Sequence, residues 1–124
     1  MNLNYAQSTG KLTLDDGTLV AVGWAGRGPG KNNPALQAVK STGPLPQGVY
    51  TVGEWHDHPR LGLMVARLIQ TEGETFGRDE FFIHGASRNL DKFGQESKGC
   101  IVLTHTEREE VKDLNPMTIT VTEA

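Results

Sequence analysis

The chain reads as mainly β: a small antiparallel β sandwich or barrel with one surface helix near the C-terminal end. Three observations predict this. Fifteen glycines and six prolines in 124 residues exceed the usual share of about 12% for the pair, which marks many turns. The apolar segments are short and bounded by turn residues, as strands are. Only one segment carries the chemistry of a helix start. At this length a single domain over residues 1–124 is expected, able to bury a core without staples.

The elements follow in order. Leu3–Gln7 and Lys11–Leu14 flank Ser8-Thr9-Gly10 as a hairpin. Asp15-Asp16-Gly17 turns the chain into a strong strand, Thr18–Trp24. The segment Gly26–Gly43 is a long loop with one helical turn expected at Pro34–Val39. Loops longer than about 12–15 residues are usually functional. Pro44 and Pro46 remove donors, so the next strand begins only after Gly48. His56–Leu61 reads as a turn, Gly62–Gln70 as a strand and Thr71–Asp79 as a polar loop. Glu80–Ile83 is a strand ending at His84, Ala86–Glu96 a loop and Cys100–Leu103 a short apolar strand. Thr104-x-x-Glu107 is a capping box that starts the helix, which stops near Leu114 before Asn115-Pro116. Met117–Val121 alternates with period two and closes the chain.

Composition excludes some function classes. The net charge is −3 with no basic block, and phosphate binding needs clustered Lys and Arg. Nucleic acid is therefore not an expected partner. One cysteine makes no internal disulfide. The start, MNLNYAQSTG, lacks a basic region followed by an apolar one. No run approaches the roughly 18 apolar residues of a membrane span. Synthesis in the cytoplasm without a general signal peptide is the expectation, with export by some other device if the protein works elsewhere.

The candidate chemistry lies in IHGASRNLDKFGQESKGCIVL, residues 83–103. A lone cysteine is most often an inert small hydrophobe. Three features argue otherwise for Cys100. Gly99 frees the backbone before it, so successive amides can form the anion-binding nest of an oxyanion hole. Lys98 offers a cation that favours the thiolate. His84 ends another apolar strand 16 residues earlier, and a loop of that size can bring the two strand ends together as an activated thiol pair.

His84-Gly85, a loop, and then Ser97-Lys98-Gly99-Cys100-Ile101 resemble the signature of the L,D-transpeptidase (YkuD-like) catalytic domain. The order, histidine before cysteine, is opposite to that of papain-like peptidases. Gly43-Pro44-Leu45-Pro46-Gln47-Gly48-Val49-Tyr50, with Arg78-x-x-Phe81-x-Ile83-His84-Gly85, is similar to the short L,D-transpeptidase-like effectors of type VI secretion. The likeness runs from about Tyr5 to the closing strand. Lys98 stands where the commonest pattern has histidine, and Val102 where an arginine is usual.

The resemblance implies an L,D-transpeptidase-type β fold and a peptidoglycan L,D-transpeptidase or L,D-carboxypeptidase. Cys100 would attack the diaminopimelate–D-alanine bond of a tetrapeptide stem, and His84 would carry the proton. Gly99 and Cys100 amides would hold the oxyanion, and Ser97 would orient the loop or His84. Gly85, Lys98, Arg78 and Tyr50 are the candidate substrate contacts. Such chemistry needs no metal and no organic cofactor. Peptidoglycan stems are the implied substrate and the periplasm of target bacteria the implied place of action. The type VI apparatus and a cognate immunity protein covering Cys100 and the Gly26–Gly43 loop are the implied partners. Two competing readings remain: a non-catalytic wall- or protein-binding module on the same fold, and a self- or phage-encoded wall-remodelling enzyme.

His56-Asp57-His58 is the rival constellation. In a strand, His56 and His58 would share a face and could bind zinc with His84 or Cys100. Pro59 instead marks a turn, and no third and fourth ligand stands at recognisable spacing. His105, in the first helical turn, reads as a surface residue.

Overall fold

The computed structural model describes residues 1–86 and 97–124. Among the described residues nine strands are formed: β1 (Asn2–Ala6), β2 (Lys11–Thr13), β3 (Leu19–Val22), β4 (Gly48–Val52), β5 (His56–His58), β6 (Gly62–Gly73), β7 (Phe81–His84), β8 (Ile101–Val102) and β9 (Thr118–Thr122). One α-helix, α1 (His105–Leu114), precedes β9. The sheet order is β3-β2-β1-β9-β4-β6-β7-β8, with β5 on β6. The sheet curls into a half-barrel, and its two ends touch just beyond β3. There the Trp24 amide donates to the Val102 carbonyl at 3.2 Å and the Val102 amide donates back at 2.8 Å.

The fold is mainly β, as expected, and most pairings are antiparallel. Two are not. β9 runs parallel to β1, and β8 parallel to β7. Parallel neighbours need a long crossover rather than a hairpin, and α1 lies within the connection that carries the chain from β8 to β9. β9 then inserts between β1 and β4. Several boundaries also differ from the sequence reading; β3 and β8 are shorter than expected, at Leu19–Val22 and Ile101–Val102. His56–His58 is a strand rather than a turn, paired at His56↔Val65 and His58↔Gly62; the turn is deferred to the residues after it. β6 runs on to Gly73 because Glu72 and Gly73 still pair with β4. The long loop holds two 3-10 turns, Gly28–Gly30 and Pro34–Leu36, the second shorter than the expected helical turn. Of the Ala86–Glu96 loop, all but Ala86 lies outside the described residues.

The core fills the concave side of the sheet. Alternation in β1 sends Leu3 and Tyr5 inward, and in β9 Ile119 and Val121. They meet Leu12, Tyr50, Phe81, Ile83, Ile101 and Leu103. The helix starts as its sequence dictates. The Thr104 hydroxyl accepts from the Glu107 amide at 3.1 Å, and the Glu107 carboxylate accepts from the Thr104 amide at 3.0 Å. Its second oxygen accepts from the Val22 amide at 2.9 Å, tying α1 to the end of β3. The inward face carries Val111 and, unexpectedly, Arg108.

The Tyr5 hydroxyl is buried with no hydrogen-bond partner among the described residues, and burial pushes its phenol above the ordinary range. A buried hydroxyl without a partner costs about 1–3 kcal/mol in desolvation. Tyr5→Phe is therefore expected to leave stability unchanged or raise it by about 1 kcal/mol, read by urea unfolding. A loss above about 1 kcal/mol would show that the hydroxyl is satisfied.

Candidate active site

Strand pairing brings the two reactive groups together. β7 and β8 lie side by side and parallel, with Ile83 opposite Ile101. His84 therefore ends one strand while Cys100 enters the next. Both line one cleft of about 230 Å³. Its wall also holds Phe82 and Leu61, and its rim holds Lys40, Arg60 and Lys98 beside Asp79 and Glu80. Ser41 and Lys40 come from the long loop, so that loop forms one side of the cleft.

His84 is buried, and its Nδ1 lies 2.8 Å from the Gly85 carbonyl. A carbonyl only accepts, so Nδ1 is the donor in this contact, and in a neutral ring so held Nε2 would be the basic nitrogen. Gly85, a candidate substrate contact from the sequence, here supplies the carbonyl that orients the ring. Its missing side chain has a second use: a Cβ at Gly85 would overlap the Arg108 guanidinium.

Cys100 is 7% exposed. Its Sγ lies 3.7 Å from the Glu80 carbonyl, which accepts the thiol proton. A backbone hydrogen bond from Phe82 also acts on the sulfur. Burial pushes the thiol up to about 11, against smaller opposing effects of the Phe82 amide and the Arg78 charge. This corrects one expectation. The cation acting on Cys100 is the buried Arg78 and not its neighbour Lys98, and the resting group is a thiol. Glu80 sits at φ +60°, a conformation uncommon outside glycine, and this strained residue is the one whose carbonyl faces the sulfur.

Ser97 organises the turn before the cysteine. Its hydroxyl donates to the Cys100 carbonyl at 2.5 Å and accepts from the Gly26 and Gly99 amides at 2.9 and 3.2 Å. It thus joins the cysteine loop to the start of the long loop, without touching His84 among its described bonds. Gly99 has φ +125°, and a Cβ there would crowd Arg78 and Phe81. Its amide donates to the Ser97 hydroxyl.

Arg78 lines the same cleft from a largely buried position, whereas Tyr50 is not among the lining residues. Arg78 is 5% exposed. Its terminal nitrogens donate to the carbonyls of Gln37, Pro44, Gly43 and Lys98. It clamps the long loop to the cysteine loop. Tyr50 is fully buried, donates to the Pro46 carbonyl at 2.8 Å and meets Phe81 edge-on at 6.0 Å. It supports the wall from beneath, because β4 turns its side chain inward. Lys98 remains exposed on the rim. Sequence reasoning missed Lys40, Arg60 and Glu80, which carry no local signal and meet only through the fold.

The two histidines of β5 do not converge on a ligand. His58 Nδ1 accepts from the Arg60 and Leu61 amides at 3.0 and 3.1 Å, and His56 Nδ1 faces the Glu54 carbonyl at 2.9 Å. His58 stacks edge-on against Phe82 at 5.3 Å, so it braces the cleft wall and the turn bearing Arg60. His105 is exposed and pairs with Glu109 at 3.1 Å.

A thiol at about 11 makes a resting-state prediction. Alkylation of Cys100 by iodoacetamide should be slower at pH 7 than that of a free thiol near 8.5, and should rise about tenfold per pH unit until about pH 11. Because the folded value lies above the unfolded one, the thiol's contribution to stability is full below about pH 8.5 and is lost as pH climbs through about 11. Fast alkylation that is flat between pH 6 and 9 would contradict this.

The Tlde1 domain family matches residues 20–120. Among solved structures, the chain is similar to an L,D-transpeptidase from Mycobacterium smegmatis, with 17% identity and a TM-score of 0.52 over 98% of this chain and 58% of that one. A structure of Bdellovibrio bacteriovorus Bd1075 aligns at 15% identity and a TM-score of 0.47, over 64% of this chain and 33% of that one. The chain thus spans less than two thirds of either length, and the first likeness concerns the fold. Comparison with curated proteins gives no significant match.

Proposed function

The chain belongs to the Tlde1 domain family, that of type VI secretion L,D-transpeptidase effectors, and from that membership we propose a cysteine-dependent acyl transfer on peptidoglycan stems. The observation that carries it is the cleft that Cys100 and His84 share. Cys100 attacks the carbonyl between diaminopimelate and the terminal D-alanine, and His84 Nε2 takes the thiol proton as the C–S bond forms. The Cys100 amide faces the developing oxyanion. As the C–N bond breaks, His84 returns the proton to the leaving D-alanine amine, and the stem remains as a thioester.

With the resting thiol protonated, attack and proton transfer are coupled, and a free thiolate does not accumulate beforehand. The cationic rim of Lys40, Arg60 and Lys98 suits the carboxylates of the stem, which steer it to the cleft. Water at the thioester gives L,D-carboxypeptidase action; an amine gives exchange or a cross-link. Trimmed or capped stems starve the target's normal cross-linking, which is the antibacterial effect we assign, in the periplasm of target cells after type VI delivery. A cognate immunity protein would cover the cysteine loop and the 26–43 loop, which together frame the cleft.

The raised thiol value favours one second reading, a wall-binding module that retains an inert cysteine. Tetrapeptide muropeptides incubated with the protein, with and without a free D-amino acid, separate the two. Loss or replacement of the terminal D-alanine, seen by mass spectrometry, supports catalysis. Unchanged muropeptides with a folded protein overturn it and leave the binding module.

A further inference from the structure

The turn between β5 and β6 is made of Pro59, Arg60 and Leu61, and the last two line the cleft that holds Cys100. Pro59 has no N–H to give. The next two amides, of Arg60 and Leu61, converge on one atom, the Nδ1 of His58, at 3.0 and 3.1 Å. Two donors on one nitrogen mean that this nitrogen keeps its lone pair. The same ring lies edge-on against Phe82 at 5.3 Å, and Phe82 lines the cleft too. His58 thus joins three cleft residues without lining the cleft itself.

This hold is chemically conditional. An imidazolium carries a proton on both nitrogens and accepts nothing. Protonation would set the Nδ1–H against two amide N–H groups, and the turn would let go. The charged and titratable neighbours do not prevent this. On β5 itself, the His56 ring lies 6.3 Å away and the Asp57 carboxylate accepts from the Met64 amide. Arg60 follows in the turn. From β6, the Arg67 guanidinium lies 5.9 Å from the Phe82 ring, and Asp79 and Glu80 stand at the cleft. Among the described residues no carboxylate forms an ion pair with His58; the ion pair formed there joins His105 to Glu109.

We propose that His58 is a positioning residue: its neutral ring holds the 59–61 turn so that the Arg60 guanidinium meets a carboxylate of the stem, and protonation releases that hold. The proposal rests on the stem as the ligand of the cleft, and adds the residue that sets its affinity and the pH dependence of that affinity. A turn held in place beforehand binds more tightly, because ordering a free turn on binding costs entropy. Asparagine separates the lone pair from the proton. Its side-chain oxygen accepts from backbone amides two residues on, as Nδ1 does here, and it takes no charge. Phenylalanine keeps a ring for Phe82 and accepts nothing.

Two measurements test this on wild type, H58N and H58F. Without substrate, NMR follows the His58 ring and the hydrogen-exchange protection of the Arg60 and Leu61 amides from about pH 8 to about pH 5, the window in which imidazoles gain a proton. In the Cys100→Ala background, which forms no thioester, calorimetry gives the affinity for the tetrapeptide stem over the same range. In the wild type, protection of both amides should fall as the His58 ring titrates; H58N should keep it and H58F should lack it. Stem affinity with His58 present should fall about tenfold toward acid, the worth of one charge-assisted contact. It should stay level in H58N and be low throughout in H58F. Constant protection while the ring titrates overturns the proposal. So do an H58F protein that binds the stem as tightly as one with His58 at the alkaline end, an H58N protein that keeps the acid loss, and a stem that binds at no pH. If binding follows the expected pattern but the protein with Cys100 releases no D-alanine, the acyl-transfer reading falls and the role of His58 stands.

Discussion

Cys100→Ala is expected to lower D-alanine release from tetrapeptide stems by at least about 10³-fold, in hydrolysis and exchange alike. Removing a nucleophile that forms the covalent intermediate removes the reaction path, and such losses in other enzymes reach about 10⁶. The change removes only the sulfur from a site braced by Ser97, Arg78 and strand pairing. The fold should therefore persist, checked by an unchanged circular dichroism spectrum and cooperative melting. Residual release within tenfold of wild type, in a folded variant, would mean that Cys100 is a buried residue of the wall. Both outcomes are read in one assay on matched samples.

Arg78→Met should cost stability before it costs chemistry. Its guanidinium joins Gln37, Gly43 and Pro44 of the long loop to Lys98 of the cysteine loop. Methionine fills part of the volume but leaves those carbonyls without their donor, at about 1–3 kcal/mol for each buried group left unmade. Relaxation recovers part of this, so a loss of about 3 kcal/mol is expected in denaturant unfolding. The clamp holds the Lys40–Ser41 side of the cleft, so KM for stems should rise alongside. The charge also opposes the upward shift of the Cys100 thiol, and the pH at which alkylation levels off should move higher still. A variant as stable as wild type, with altered KM only, would return Arg78 to the role of substrate contact.

Much of this site was legible in the sequence because its signals are local. Gly99 before Cys100 announces a backbone position other residues avoid, and the φ of +125° bears out that reason. His84 at the end of an apolar run and Cys100 at the start of another announce two neighbouring strand ends. The Thr104–Glu107 box announces α1, and both of its bonds form. What the sequence hid is long-range. Nothing near Met117–Val121 says that β9 will slide between β1 and β4, because a strand's pattern specifies its faces and not its neighbours. Arg78 and Arg108 look like surface charges until the fold wraps carbonyls around them. Lys98 looked like the cation that activates the thiol, since adjacency is visible in a sequence and burial is not; desolvation in fact dominates, and Arg78 is the cation that counters it. Tyr50 supports the cleft from within because β4 turns its side chain into the core, where it is fully buried.

The central claim is that the stem passes through a thioester on Cys100. The most direct measurement is intact-protein mass spectrometry of the protein quenched in acid within milliseconds to seconds of mixing with tetrapeptide stem, followed by peptide mapping. The account predicts an adduct equal in mass to the stem less D-alanine, mapped to Cys100, labile to hydroxylamine and absent from Cys100→Ala. Release of D-alanine by wild type with no adduct at any quench time, and undiminished release by Cys100→Ala, would contradict it.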